Sequence, residues 1–284
     1  MSSTKESSHP RLLIAGLTPA WQQTIRLRRF EPWQTNRTNE VHWCAAGKVL
    51  NVSMAVHLLG GHALTIAPVG GRFGLDIRRE FSERGVSTQW VDCHESTRVC
   101  TTIVDEERCK VTELIENARP LQATAITEFL RQFTSNARSA QVTVLTGSLP
   151  EGTPRALYRD LLEASPGRTI LDISGEELIA ALSAKPWLIK PNRAELERTL
   201  NMRLETENDL LRAMRQCNER GAEWVLVTQG ADDVWLTSSE AAFRFRPRPV
   251  QVVNPIGCGD CLAGALAWAT DEEYSIVESV KLGL

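Results

Sequence analysis

The chain has 284 residues, which is long enough for one large domain with a substantial buried core. Its formal net charge of −3 excludes the strongly basic surface expected of a nucleic-acid-binding protein, and no apolar segment approaches the roughly 20 residues needed to cross a bilayer. The seven scattered cysteines are odd in number, which favours a reducing cytoplasm over a framework of disulfides.

The chain begins with a polar segment, residues 1–10, that lacks the apolar core of a signal peptide. We expect this segment to be disordered and the protein to be cytoplasmic. Beyond it, short apolar runs typical of buried strands alternate with helical patterns. The predicted strands are Leu12–Ala15, Leu64–Ala67, Val142–Leu145, Thr169–Leu171, Trp187–Ile189 and Trp224–Val227.

Helical spacing appears between these strands. Val52, Val56 and Leu59 repeat at helical intervals before Gly60, and Leu210, Met214 and Cys217 do so before Gly221. Strands that alternate with helices predict a mostly parallel sheet with helices on both faces.

Two segments depart from this alternation. Residues 26–43 are polar and aromatic, and residues 88–116 contain two strand-like runs with no helix between them. Both favour strands of a small second sheet beside the main domain.

Polar residues directly follow four predicted strands. They are Gly147-Ser148, Asp172, Lys190-Pro191-Asn192 and Thr228-Gln229-Gly230. Because ligands bind outside the carboxyl ends of strands in open α/β sheets, we expect these groups to line a site. The alternative is that they only form turns.

Asn192 and Glu195 have the Asn-x-x-Glu spacing of a capping box, which would stabilise the start of a helix. The same oxygen atoms suit Mg²⁺, held through water. The two interpretations are equally open on this motif alone.

Gly47-Lys48 precedes the helix that carries Asn51. It is not a Walker A loop, because Val49 stands where Ser or Thr is required. A lysine opposes the dipole at a helix start, so Lys48 is either a solvated charge or is compensated by a bound anion. Arg98, in a predicted strand, is likewise either exposed or a phosphate ligand.

The segment 254–260, Asn-Pro-Ile-Gly-Cys-Gly-Asp, is the most informative motif. The backbone amides of Gly257, Cys258 and Gly259 are expected at the start of a buried helix, where they would bind an anion such as phosphate. Asp260 would repel that phosphate unless it accepts a proton, so the pair indicates phosphoryl transfer to a hydroxyl. The alternative is an ordinary helix with Asp in its first turn.

Cys258 and Cys261 form a C-x-x-C without a second pair or a nearby His, which is a poor zinc site. A disulfide here would distort the predicted anion hole. Other enzyme classes lack their signatures: there is no G-x-G-x-x-G after the first strand, no H-E-x-x-H and no G-x-S-x-G.

In this order and spacing the segments resemble the ribokinase-like (PfkB) carbohydrate kinases, and among them the fructose 1-phosphate kinase and tagatose 6-phosphate kinase branch. The resemblance covers nearly the whole chain. It rests on Ala45-Ala46-Gly47-Lys48, Gly71-Arg72-Phe73-Gly74, Thr97-Arg98, Thr146-Gly147-Ser148-Leu149-Pro150, Lys190-Pro191-Asn192, Thr228-Gln229-Gly230 and the segment 254–260.

The resemblance implies an α/β fold: a ribokinase-like three-layer α/β/α domain over 11–284 with a mostly parallel sheet and a small β lid formed by about 24–45 and 88–116. It implies ATP and Mg²⁺ as cosubstrate and cofactor and a homodimer formed through the lid. The implied roles are catalysis by Asp260 with the amides of Gly257, Cys258 and Gly259; nucleotide binding by Lys190, Asn192, Thr228 and Gly230; Mg²⁺ binding by Asn192 and Glu195; and sugar-phosphate binding by Gln22, Gly47, Lys48, Asn51 and Arg98.

Three positions depart from the family pattern. Gln22 replaces an Asp that grips sugar hydroxyls, Val49 replaces a Gly, and Asp233 replaces a Gly near the nucleotide. The chain stops at Leu284 within a helix predicted from Ser275, whereas the family continues, so we expect a truncated C-terminus.

We therefore expect an ATP-dependent kinase that phosphorylates a hydroxyl of fructose 1-phosphate, tagatose 6-phosphate or fructose 6-phosphate. The alternatives are a catalytically weakened relative that binds sugar phosphates in a regulatory role, and a kinase of unphosphorylated sugars. The first alternative is favoured by Gln22 and Val49, and the second requires Lys48 and Arg98 to be idle.

Overall fold

A computed structural model describes residues 10–250, 252 and 254–284. The expected disorder of residues 1–10 falls outside this range except at Pro10. The strands are β1 (Leu12–Ala15), β2 (Ala20–Leu27), β3 (Val41–Ala46), β4 (Ala63–Gly70), β5 (Thr88–Cys93), β6 (Arg98–Asp105), β7 (Lys110–Ile115), β8 (Val142–Thr146), β9 (Arg168–Asp172), β10 (Leu188–Ile189), β11 (Trp224–Val227), β12 (Val234–Thr237) and β13 (Ala242–Phe245).

The helices lie between these strands and after the last of them. They are α1 (Lys48–Leu58), α2 (Gly71–Glu83), α3 (Ala123–Ala137), α4 (Leu157–Glu163), α5 (Glu176–Leu182), α6 (Arg193–Leu200), α7 (Glu207–Glu219), α8 (Cys258–Asp271) and α9 (Ile276–Gly283). In the described part of the chain, no helix is both long enough and apolar enough to cross a membrane.

The main sheet has nine strands in the order β13-β12-β11-β10-β9-β8-β1-β4-β5. In this spatial order the strands from β11 to β5 run parallel to one another, and β12 and β13 add antiparallel at the other edge. The six strands predicted from apolar runs all belong to this sheet, because a strand covered on both faces needs apolar side chains at every position. The four residues of β1, for example, are all buried.

Helices cover both faces of the sheet and create two apolar cores. On one face Leu13 packs in a cluster with Phe129 and Phe133 of α3, and on the other Ile14 packs with Val52 of α1 and Leu266 of α8. This arrangement confirms the predicted three-layer α/β/α fold. It also places the polar residues that follow the strands at one edge.

The small sheet, which we call the lid, has the order β3-β2-β6-β7. Its strands come from residues 20–46 and 98–115, so the lid begins earlier than the predicted 24. The predicted second segment, 88–116, begins too early, because β5 pairs in parallel with β4 in the main sheet. Residues 28–40 form a loop between β2 and β3, although the predicted strand-like segment 26–43 included them.

Helix α2 holds the lid against the main domain. The backbone N–H of Ala45 in β3 donates to Glu80 Oε2 at 2.7 Å, and the Trp43 ring stacks on Phe73 with 6.5 Å between ring centroids. The Gly71-Arg72-Phe73-Gly74 motif therefore begins a helix that positions the lid.

Candidate active site

The start of α8 is the turn that the sequence predicts to bind an anion. Gly257 is the N-cap with φ +84°, a left-handed conformation that strongly favours glycine. Asp260 follows in the first turn and is 8% exposed. Its Oδ2 accepts a hydrogen bond of 2.7 Å from Asn51 Nδ2 of α1. Two predicted site residues, 209 positions apart, thus meet directly.

Lys48 is the first residue of α1, and its ammonium group reaches the strand ends of the main sheet. Its Nζ lies 3.2 Å from Asp172 Oδ1 and 3.3 Å from Glu195 Oε1. Burial alone would lower the pKa of Lys48, but the nearby carboxylates, Asp172 foremost, outweigh it and raise the pKa. Lys48 therefore stays charged, and the unfavourable position of a lysine at a helix start is compensated by protein carboxylates.

Lys190 follows β10 and is almost fully buried. Its Nζ lies 3.1 Å from Asp172 Oδ1 and 3.5 Å from the point that a Cβ at Gly259 would occupy. Its ammonium group therefore lies beside the predicted anion-binding turn.

Asp172 joins these groups, and the sequence-based assignment gave it no role. Its carboxylate is 1% exposed and contacts both Lys48 and Lys190. Burial alone would raise the pKa of Asp172, but the two ammonium groups overcome that effect and lower it. Its position directly after β9 was the only sequence signal that it belonged to the site.

Asp260 has the opposite shift from Asp172. Burial raises its pKa, the hydrogen bond from Asn51 lowers it, and the negative charge of Asp172 raises it again, with a net increase. A carboxylate whose pKa is raised is a better proton acceptor, which suits a general base.

Asn192 and Glu195 form the capping box at the start of α6. Asn192 Oδ1 accepts from the Glu195 N–H at 2.8 Å, and Glu195 Oε2 accepts from the Asn192 N–H at 2.9 Å. The interpretation of this motif as a capping box is therefore confirmed. The magnesium role stays a prediction, since Glu195 Oε1 faces Lys48 and the described residues contain no group of three His, Cys, Asp or Glu side chains suited to a metal.

The predicted nucleotide residues Thr228 and Gly230 follow β11. Thr228 forms a parallel bridge with Asn192, so this loop adjoins the capping box. Gly230 has φ +65° and nothing within 4 Å of its Cβ position, which leaves open space at this point of the edge.

Other predicted substrate residues lie where the lid joins the main domain. Gly47, with φ +88°, would place a Cβ 2.8 Å from the Thr18 carbonyl oxygen. Arg98 donates to that same oxygen at 3.0 Å and to the Glu116 carbonyl at 3.1 Å. Arg98 thus binds backbone oxygen atoms in this structure, and its role toward a sugar phosphate stays a prediction.

Gln22 lies in β2 and donates from Nε2 to Thr102 Oγ1 at 2.7 Å. The amide nitrogen is thus occupied within the lid. Val49, the second residue of α1, is buried in the core, and Asp233 pairs with Arg244 and Arg246, so these two departures from the family pattern have local structural partners.

Together these residues form a small charged centre at the carboxyl edge of the sheet. It contains an anion-binding turn, two ammonium groups and a carboxylate that can accept a proton. This arrangement can stabilise a phosphoryl group in transfer and orient a hydroxyl group toward it.

Comparison with known proteins decides the family. Residues 18–284 match the model of the pfkB family of carbohydrate kinases. The chain belongs to this family. As a pfkB family member it is a kinase, a class that uses ATP as its phosphoryl donor.

Curated pfkB relatives match over nearly the whole chain. The ATP-dependent 6-phosphofructokinase isozyme 2 of Mycobacterium tuberculosis is 28% identical over 282 residues, covering 98% of this chain and 83% of the relative. The 1-phosphofructokinase of Haloferax volcanii is 28% identical over 278 residues, covering 96% of this chain and 88% of the relative.

Solved structures of pfkB kinases have the same fold. Phosphofructokinase-2 from Escherichia coli, in its tetrameric inhibited form, matches with a TM-score of 0.89 at 26% identity, covering 96% of this chain and 91% of that one. The same enzyme in complex with fructose-6-phosphate matches with a TM-score of 0.87 at 27% identity, covering 95% and 90% of the two chains.

Proposed function

We propose that this pfkB kinase transfers the γ-phosphoryl group of ATP to a hydroxyl of a phosphorylated ketohexose: fructose 1-phosphate, tagatose 6-phosphate or fructose 6-phosphate. The observation that carries the proposal is the Asn51–Asp260 hydrogen bond at the anion-binding turn. The names of the relatives support the substrate class, since they are 6-phosphofructokinase and 1-phosphofructokinase.

In this proposal Asp260 orients the acceptor hydroxyl and takes its proton. Asn51 fixes the carboxylate, so that one oxygen is held and the other is available to the hydroxyl. The amides of Gly257, Cys258 and Gly259 bind the moving phosphoryl group. Because transfer passes through a loose transition state, a carboxylate is a sufficient base, and positioning and charge stabilisation, to which Lys190 contributes, supply most of the catalysis.

The remaining site residues bind the two substrates. Lys190, Asn192, Thr228 and Gly230 are proposed to contact the nucleotide. The proposed contacts to the sugar phosphate come from Gln22, Gly47, Lys48, Asn51 and Arg98.

The residues around the capping box fit Mg²⁺ held through water. Asn192 and Glu195 would hold the ion indirectly, because the single side-chain oxygen of Asn192 and Oε2 of Glu195 already accept backbone hydrogen bonds. The anionic Asp172 lies close by, paired with the same Lys48 that faces Glu195. When bound, Mg²⁺ neutralises charge on the nucleotide phosphates.

We also propose a cytoplasmic homodimer formed through the lid. Val41, Trp43 and Leu114 are exposed large apolar side chains of the small sheet, and the strand register places Trp43 and Leu114 on one face. An exposed apolar sheet face is typical of an interaction surface.

The test is ADP release with Mg-ATP and each of the three phosphorylated ketohexoses, with free fructose for comparison. Asp260→Asn is expected to lower turnover by about 10²- to 10⁴-fold, the usual worth of a general base, with little change in ATP affinity. Equal turnover in the variant would remove Asp260 from the base role.

The same assay separates the alternatives. Faster turnover of free fructose than of any phosphorylated sugar would indicate a kinase of unphosphorylated sugars. Binding of a sugar phosphate without turnover would support the regulatory alternative.

A further inference from the structure

Two exposed cysteines, Cys258 and Cys261, lie in the first turn of α8. Residues three apart on a helix share a face, and their Cα atoms are about 5 Å apart, within the range of a disulfide. Asp260 lies between them in sequence but is buried. Both cysteines of this turn are therefore exposed to solvent, whereas the candidate base between them is buried.

We infer that Cys258 and Cys261 are a modification site: they form a reversible disulfide by exchange with a small disulfide of the glutathione class, and this disulfide switches off phosphoryl transfer. The inference rests on the proposed function, because it acts through Asp260 and the amides of the same turn.

The switch follows from the difference between helical and disulfide geometry. Cβ atoms three residues apart on a helix are about 5–6 Å apart, whereas those of a disulfide are about 3.5–4.5 Å apart. Closing the bond must draw the two Cβ atoms together by about 1–2 Å, which deforms the turn that contains Gly259 and Asp260. A misplacement of about 1 Å at a catalytic group costs about 100-fold in rate.

The exchange needs no reagent beyond the small disulfide. Cys258 thiolate attacks one sulfur of that disulfide, which forms a mixed disulfide and releases one thiol. Cys261 loses its proton to solvent and attacks Cys258 Sγ, which closes the protein disulfide and releases the second thiol. The protein loses two electrons and two protons, and the small disulfide is reduced to two thiols.

The order of attack follows from the surroundings of the two sulfurs. Desolvation and the negative charge of Asp260 raise the pKa of Cys261, so it is the slower first nucleophile. Because the resulting bond is exposed and strained, a thiol reductant reopens it readily.

The other cysteines of the folded protein, apart from Cys109, do not compete with this pair for the small disulfide. Cys100 and Cys217 are buried, and Cys44 and Cys93 are partly buried with raised pKa values, chiefly because of desolvation. Cys109, in the lid, is the remaining exposed thiol. A Cys109→Ser background therefore isolates the pair without touching the site.

The experiment treats the Cys109→Ser protein with oxidised glutathione, blocks the remaining thiols, and measures both mass and turnover. We expect the oxidised protein to be lighter than the reduced protein by two hydrogens and to carry no glutathione adduct. Its turnover should be about 10- to 100-fold slower than that of the reduced enzyme. Dithiothreitol should restore turnover. Adding Cys261→Ser should preserve the activity of the reduced enzyme but leave a stable glutathione adduct on Cys258.

The inference is overturned if both thiols stay free, or if the disulfide forms and turnover is unchanged. If the reduced enzyme turns over none of the sugars, the proposed function fails instead. Hydrogen exchange of the amides in the first turn of α8 then decides the inference: the disulfide should change their exchange, and identical exchange in both forms refutes the deformation.

Discussion

Replacement of Asp172 by Asn tests how the charged centre is held together. The carboxylate is 1% exposed, and its Oδ1 lies 3.1 Å from Lys190 Nζ and 3.2 Å from Lys48 Nζ. The side chain of Lys190 is only 4% exposed, whereas that of Lys48 is 34% exposed. Loss of the negative charge therefore leaves one ammonium group buried without its partner.

The cost follows from the burial of this ion pair. Breaking a buried ion pair by removing one partner costs about 3–5 kcal/mol. With about 2–4 °C per kcal/mol in a chain of this size, Asp172→Asn should lower Tm by about 10 °C.

The assay is equilibrium urea unfolding of Asp172→Asn, Lys190→Met and the double variant. A matched control is Asp76→Asn, which removes a pair with Arg79 of 2.8 Å at the surface and should cost less than about 1 kcal/mol. If the buried pair is the cause, the double variant is less destabilised than the sum of the single variants. Additive losses, or a loss at Asp172 no larger than at Asp76, would refute the reasoning.

The pH dependence gives a further check on Asp172. Its pKa is lowered in the folded protein, so its stabilisation is fully present above the ordinary Asp pKa of about 3.9 and is lost as pH falls through the lower folded value. The difference in free energy of unfolding between the wild type and Asp172→Asn should therefore be constant near neutral pH and shrink only below about pH 4.

Three other substitutions have defined outcomes. Asn51→Ala removes the hydrogen bond that lowers the pKa of Asp260, so the acidic limb of kcat/KM should move to higher pH, as measured in a pH–rate profile. Gly60→Ala should lower the free energy of unfolding by about 1–2 kcal/mol, because its φ is positive. Gly47→Ala should lower it by more, because Gly47 also has a positive φ and its added Cβ would lie against Thr18. Equal losses of the two variants in urea unfolding would show that the contact with Thr18 is irrelevant. Asp260→Asn should raise stability at pH 7 by about 0.5–2 kcal/mol in thermal unfolding, because it removes a buried charge whose pKa is raised. A lower Tm would contradict that sign.

The main sheet was predictable because its strands are buried on both faces, which leaves a strong local signal in runs such as Leu12–Ala15. β5 was misassigned to the lid because no helical pattern separates it from β6 and β7 and only Val91 in it is buried, although it pairs with β4. Strand partners are set by tertiary packing, so a half-buried strand at the sheet edge carries little local information about its sheet.

The site was predictable in its parts and not in its connections. Motif spacing identified Asp260, Asn51, Lys48 and Lys190 separately, but it could not show that Asn51 bonds to Asp260 or that both lysines share Asp172. The Asn51–Asp260 and Lys48–Asp172 contacts join segments more than 100 residues apart, and a single aspartate after a strand is usually only a turn former. Only the fold distinguishes Asp172 as a site residue from an aspartate that merely forms a turn.

The position of β1 in the interior of the main sheet has a consequence for synthesis of the chain on the ribosome. β1 is paired on one side by β4 and on the other by β8, which is made about 130 residues after it. At about 5–20 residues per second, that delay is roughly 6–25 s. During this interval the nascent chain carries an apolar strand with an open edge, so fragments that end before Val142 should aggregate, and chaperones should engage the N-terminal half during translation.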